Sequence, residues 1–226
     1  LKNLPEDHIA VKFCRDRKLP QRAYDELYFI ENVSDIEQLS ENARKKIAGK
    51  EPRLVIPFRA RHGKLVGVHC RDLENNPDRA RYLSVVITDL DLSVVITDLE
   101  PMIFNFDRVD LTRDTYVVEG PLDSLFLDNA VALGTSSLTT VLGYVPKSKA
   151  ILVFDNQPRN TEIVKLCRKA VVNDWRVVLW PTTLEEKDLN DMIMAGMTQE
   201  ELESLLEKNT YKGLEAELRF NEWRKV

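Results

Sequence analysis

The chain has 226 residues, 43% hydrophobic and 31% charged, which is enough apolar content to bury a core in one large domain or two small ones. Its net charge of −5 speaks against a binder of nucleic acid that works through bulk charge alone. No run approaches the roughly 18 consecutive apolar residues of a membrane span, so no membrane role is expected. Three cysteines, Cys14, Cys70 and Cys167, lie far apart with no CxxC pair; they indicate neither a disulfide scaffold nor a cysteine-rich zinc module, and they read as reduced and buried. The opening LKNLPEDHIAVKF lacks the apolar block and cleavage signal of a secretion signal, so a cytoplasmic location is expected. A first residue of Leu rather than Met points to a fragment or a processed product.

In chain order, residues 5 to 49 read as helical. PEDHIAVKFCRDRKL and SDIEQLSENARKKIAG combine apolar spacing with acidic starts, and Gly49 stops the second. We take 1–50 as an N-terminal helical arm. Residues 53 to 99 read as strands, RLVIPF, then GKLVGVHCR after a turn at His62-Gly63, then RYLSVVITDL, together an antiparallel sheet in a mixed α+β subdomain over 51–113. From Arg53 to Tyr82 this stretch holds seven Lys or Arg against three Asp or Glu. On composition alone, such a stretch is more often a solvated face than a binding groove.

LSVVITDLD at 83–91 is followed at once by LSVVITDLE at 92–100, a tandem duplication too short for a solenoid. The strand period is two and the unit is odd in length. A single strand through both copies would therefore reverse which residues face inward. A turn at Asp89 to Asp91 avoids this, and one copy is expected in a central strand with the other at an edge or in a projecting hairpin.

Beyond Asp114 the pattern alternates: TYVVEG, PLDSLFLDN, AVALG, SLTTVLGYV, KAILVFD, TEIVKLCRKAVVN, WRVVLWP, then a helical region from Leu189 onward. Buried parallel strands separated by amphipathic helices make an α/β domain over 114–226. In such a sheet, groups at the carboxyl ends of the strands line the ligand crevice. Glu119 ends one strand, Asp155 ends another, and Asp188 and Asp191 follow a third. Carboxylates converging from separate segments are costly unless cations compensate them, and hard divalent ions with oxygen ligands do so. Taken singly, each acid could be a helix cap or a solvated loop charge, Asp188 above all. His8, His62 and His69 lack zinc-ligand spacing. Ser136 and Ser137 suit a phosphate loop or a helix N-cap equally, and Trp223 sits on the apolar stripe of a terminal helix.

VVEGPLDSLFL, VFDNQPRN and KDLNDMI together resemble the Toprim domain of phage DNA primases, especially those of T-even-like phages and their marine and cyanophage relatives. The likeness extends upstream through EPRLVIPFRARHGKLVGVHCR to the basic half of the primase RNA-polymerase module, and so covers most of the chain. It implies a Toprim-like parallel sheet flanked by helices, and synthesis of short RNA primers on a single-stranded DNA template. The substrates would be ribonucleoside triphosphates and the ion Mg²⁺, with Mn²⁺ as a substitute. The implied partner is a replicative helicase, and the setting is a phage-infected bacterial cell. Glu119 matches the Toprim glutamate, Asp155 the first acid of the paired-acid motif and Asp188 the later metal-site aspartate, with Asp191 a weaker match. Gln157 stands where the family usually has a second acid. A neutral amide can give Mg²⁺ an oxygen but no charge, so metal affinity should fall.

The same resemblance makes Arg53, Arg59, Arg61, Lys64, Arg71, Arg79 and Arg81 candidates for triphosphate or template contact, Arg53 and Arg71 first, with Lys64 equally a turn residue. Arg159, after the acid motif, could meet a phosphate or a neighbouring carboxylate. Family members carry an N-terminal zinc module that this chain lacks, so help from a separate zinc-binding module or a single-stranded-DNA-binding protein is expected. Two other classes stay open: a Toprim nuclease, and a noncatalytic replisome protein with a degenerate site, to which Gln157 lends weight.

Overall fold

The computed structural model describes residues 1–32, 35–36, 51–74, 76–87, 102–134 and 143–226. Most of the helix expected over SDIEQLSENARKKIAG, the second LSVVITDL copy and the Ser136-Ser137 pair lie outside the described residues. The chain divides into two units, Leu1–Arg108 and Val109–Val226.

In the first unit, α1 (Ile9–Asp16) starts where the His8 ring nitrogen accepts a hydrogen bond from the Ala10 amide, and it buries Ala10 and Cys14, one helical turn apart. A short α2 (Arg22–Glu26) leads into β1 (Tyr28–Ile30). The strands β2 (Arg53–Arg59), β3 (Leu65–Asp72) and β4 (Tyr82–Val86) complete an antiparallel sheet in the order β1-β2-β3-β4. The β2–β3 turn places Gly63 at φ 87°, a conformation that a side chain resists. One face of the sheet buries Val55, Val68, Cys70 and Val85 against Ile36. The described part of the first LSVVITDL copy forms β4, the outermost strand of this sheet among the described residues, with Leu83 opposite Cys70 and Val85 opposite Val68. The unit also holds β5 (Ile103–Phe104), whose Phe104 ring meets Phe58 edge-on at 6.0 Å.

The second unit has the expected α/β pattern. Strands β6 (Thr115–Val118), β7 (Ala130–Leu133), β8 (Ala150–Val153) and β9 (Arg176–Val178) are parallel, in the order β9-β8-β6-β7, and β10 (Thr210–Tyr211) pairs antiparallel with β9. Their side chains are almost wholly apolar because helices cover both faces, so period-two alternation is absent. The helices are α3 (Pro121–Ser124), α4 (Thr161–Val172), α5 (Leu189–Met194), α6 (Gln199–Lys208) and α7 (Gly213–Trp223). Asn160 caps α4, and Thr198 with Glu201 forms a capping box on α6. From β6 the chain moves to β7 on one side and then returns to β8 on the other. The order of connection thus reverses between β6 and β8, which opens a crevice at their carboxyl ends.

Candidate active site

Glu119 is the first residue after β6, and Asp155 lies two residues after β8, so the two acids stand on either side of that crevice. A Glu119 carboxylate oxygen lies 3.5 Å from the Asp155 amide, which donates to it. A Cβ on Gly120 would lie 2.2 Å from an Asp123 carboxylate oxygen, so any larger residue there would have to displace the Asp123 side chain. The other Asp123 oxygen accepts from the Asn190 amide in the first turn of α5, 3.3 Å away. The Glu-Gly-Pro-Leu-Asp sequence therefore ties the end of β6 to the segment that begins at Asp188.

Asp188 serves two purposes at once. Its Oδ1 caps α5 by accepting from the Asp191 amide at 2.9 Å, while its Oδ2 lies 4.0 Å from the Lys187 ammonium. That ammonium is also 3.7 Å from Asp155 Oδ2, so Lys187 bridges two of the acids. Gln157 faces the same Asp155 oxygen with its amide nitrogen at 2.9 Å, and its own oxygen accepts from Asn160 at 3.0 Å. As placed, Gln157 therefore orients Asp155 and does not present an open oxygen. Asp191 is exposed in the first turn of α5.

Burial, then the neighbouring Asp155 charge, pushes the Glu119 carboxyl up to about 7. Asp155 is also raised, first by burial and then by Asp188, with Lys187 and the Gln157 hydrogen bond acting in the opposite direction. Both carboxyls are short of positive charge, and the donor set is all hard oxygen, so in chemistry the residues fit Mg²⁺ or Mn²⁺. Closure is what the arrangement lacks. Among the described residues, no three His, Cys, Asp or Glu side chains are gathered closely enough to hold an ion.

The backbone around these acids is held tightly. Trp180, buried, donates its indole N–H to the Phe154 carbonyl at 2.8 Å, fixing the residue before Asp155. The Asn156 amide donates to the Lys187 carbonyl at 2.7 Å, and its side-chain nitrogen donates to the Leu184 and Glu186 carbonyls, both at 3.0 Å. The Asn156 side-chain oxygen accepts the Trp223 indole N–H at 2.9 Å. Sequence reading picked out neither Lys187 nor Asn156. Both adjoin marked acids, but Lys187 looks like one more charge in EEKD, and a buried asparagine in a loop leaves no periodic signal.

The basic residues of the first unit are placed differently. Arg53 is 1% exposed, bonded to Glu51 and to the Cys70 and Ala80 carbonyls at 3.1 and 2.9 Å. Arg71 is also buried, its guanidinium 5.0 Å from the Phe13 ring centre and 5.1 Å from that of Tyr82, and it donates to the Tyr82 hydroxyl. Arg79 pairs with Glu51, Asp72 and Glu74. Arg59 donates to the Gly63 carbonyl at 3.3 Å, and Arg61 to the Phe106 carbonyl at 2.9 Å. Lys64, Arg81 and, in the second unit, Arg159 are exposed. The three cysteines are free and buried, their thiols pushed up to about 12 by burial. No helix among the described residues is long and apolar enough to cross a membrane.

No family model matches the chain. The DNA primase of enterobacteria phage T4 is 30% identical over 229 residues, an alignment that takes in 100% of this chain and 63% of the T4 protein. The chain thus spans less than two thirds of that relative's length. The E. coli primase catalytic core superposes with a TM-score of 0.65 at 17% identity, covering 97% of this chain and 78% of its own. The Aquifex aeolicus primase, with its zinc-binding and RNA polymerase domains, gives 0.65 at 17% identity over 93% of this chain and 58% of its own. The RNA polymerase domain of Mycobacterium tuberculosis primase DnaG gives 0.63 at 16% identity over 92% and 78%. The chain has the α/β Toprim-like fold of primase catalytic cores, and it is related in sequence to a phage primase.

Proposed function

We propose that this chain is the catalytic module of a phage-type DNA primase, joining ribonucleoside triphosphates into short RNA primers on single-stranded DNA. The observation that carries the reading is the pair of charge-starved carboxyls, Glu119 and Asp155, at the β6/β8 switch point. A substrate made of phosphates and divalent ions suits such a place. The joining reaction forms a bond between the 3′-oxygen of the primer and the α-phosphorus of the incoming nucleotide. It breaks the bond to pyrophosphate and releases the 3′-proton.

Divalent ions bound by Glu119, Asp155 and Asp188, with Asp191 and Gln157 at the margin, would supply charge neutralisation at phosphorus and acidify the 3′-hydroxyl. The chain's own residues prepare that place. Gln157 and the Asp155 amide fix the two principal carboxylates. The Asn156 clamp sets the loop that carries Lys187 and Asp188. Arg159, exposed and in the same unit as the acids, serves as a triphosphate contact, while Arg53 and Arg71, enclosed in the first unit, hold its own sheet together. The template is single-stranded DNA, the working partner a replicative helicase, and the setting the cytoplasm of a phage-infected bacterium. Template handling would draw on a separate zinc-binding module or a single-stranded-DNA-binding protein.

A second reading, a replisome protein without activity, is favoured by Gln157 in an acid's place and by a site bridged by lysine. One assay separates the two. Single-stranded DNA, labelled ribonucleotides and Mg²⁺ are offered to the parent chain, to Glu119→Gln and to Asp155→Asn. Primer synthesis predicts template-dependent RNA oligomers from the parent and a loss of at least about a thousandfold in each variant. Absence of product from a folded parent, with helicase present, would favour the second reading.

A further inference from the structure

We propose that Lys187 is the displaceable counter-ion of this site: its ammonium bridges Asp155 and Asp188 until a divalent ion arrives, then swings out to the phosphates of the nucleotide. The inference rests on the primase reading of the acids. It follows from the way Lys187 is anchored. Its carbonyl accepts from the Asn156 amide at 2.7 Å, and Asn156 also holds Leu184 and Glu186 and is itself held by the buried Trp223 indole. The backbone of residue 187 is thereby fixed to the turn that carries Asp155.

The side chain is not fixed in the same way. It is 54% exposed, and its ammonium lies 3.7 and 4.0 Å from the two carboxylate oxygens. Those are ion-pair separations outside hydrogen-bond range, so charge alone holds the ammonium and release costs little. A four-carbon stem lets the head move several ångströms while its root stays in place. An ammonium and a divalent cation repel each other across such a gap, so both cannot share the same two carboxylates. The ion that enters must expel the lysine, and the expelled charge remains within reach of the triphosphate that accompanies the ion. Such an exchange makes ion and nucleotide bind together, each completing what the other lacks.

Mn²⁺ binding to the full 226-residue chain tests this, read as the loss of the free-ion signal in electron paramagnetic resonance. The samples are the parent, Lys187→Gln, Lys187→Arg and Glu119→Gln, with and without a non-hydrolysable ribonucleoside triphosphate, each checked for an unchanged thermal melt. Without nucleotide, Lys187→Gln should bind Mn²⁺ about threefold to tenfold tighter than the parent, and Lys187→Arg about as the parent does. With nucleotide, the gain that the parent shows should shrink by a similar factor in Lys187→Gln. If Lys187→Gln binds no tighter while Glu119→Gln loses the ion, the lysine inference fails and the metal site stands. If Glu119→Gln binds as the parent does, the metal reading of the acids fails, and the lysine inference falls with it.

Discussion

Charge is handled in opposite ways in the two units. In the first, cations outnumber acids from Arg53 to Tyr82, yet the arginines most marked in sequence are used up within the fold. Arg53 is enclosed by Glu51 and two carbonyls, Arg71 lies between two rings, and Arg79 is shared among three carboxylates. In the second, Glu119 and Asp155 are half-buried with one half-exposed lysine for compensation, and both carboxyls are pushed toward the neutral form. A count of charges along the sequence would place the functional electrostatics in the first unit. The folded chain places the unmet demand for charge in the second. Charges answered within the fold, as at Arg53 and Arg79, hold structure together, whereas carboxylates left short of positive charge mark where something else binds.

Deleting a charge should therefore destabilise the first unit and stabilise the second. The largest effect is expected from Arg53→Ala, which leaves Glu51 and two carbonyls without their buried partner. We expect a loss of about 3–5 kcal/mol in chemical denaturation. A loss under about 1 kcal/mol would mean that this arginine is held less firmly than its contacts imply.

Glu119→Gln should act the other way. The carboxyl titrates near 7 in the fold and near 4.5 when unfolded, so the stability it contributes is complete below about pH 4.5 and lost as pH rises through 7. The glutamine variant cannot ionise. It should match the parent near pH 4.5 and exceed it by about 2 kcal/mol at pH 8 in metal-free buffer, and thermal melts across that range check the sign. Gln157→Glu should sharpen the contrast by adding a carboxylate against Asp155. It should lower metal-free stability by about 1 kcal/mol at pH 8 and tighten Mg²⁺ binding, both readable by calorimetry. The smallest change is Trp223→Phe, which removes one buried donor to Asn156. It should cost about 1 kcal/mol and loosen the loop that carries Lys187, seen as faster amide exchange at Asn156.

Much of this was legible before folding. The apolar runs TYVV, AVAL, AILV and RVV name the parallel strands, because only strands covered on both faces dispense with polar positions. The acids that follow those runs mark the crevice by the same logic. Other features could not be read. RLVIPFR gives no sign that its first arginine points into the fold, since that depends on pairing with Asp72 across the sheet. Gln157 looks like a weakened ligand until its nitrogen is seen facing Asp155, and Lys187 is one charge among four in LEEKD until the loop folds back. The first LSVVITDL copy supplies β4, paired with β3, a role that the sequence alone could not assign to one copy over the other.

The most direct test of the account is the position of the ion. Crystals grown with Mn²⁺ and a non-hydrolysable ribonucleoside triphosphate would be measured at a wavelength where manganese scatters anomalously. The account predicts a peak within about 2.3 Å of carboxylate oxygens of Glu119 and Asp155, with the Lys187 ammonium drawn away from both aspartates. A manganese peak on the nucleotide but remote from both carboxylates, with Lys187 still bridging Asp155 and Asp188, would contradict it.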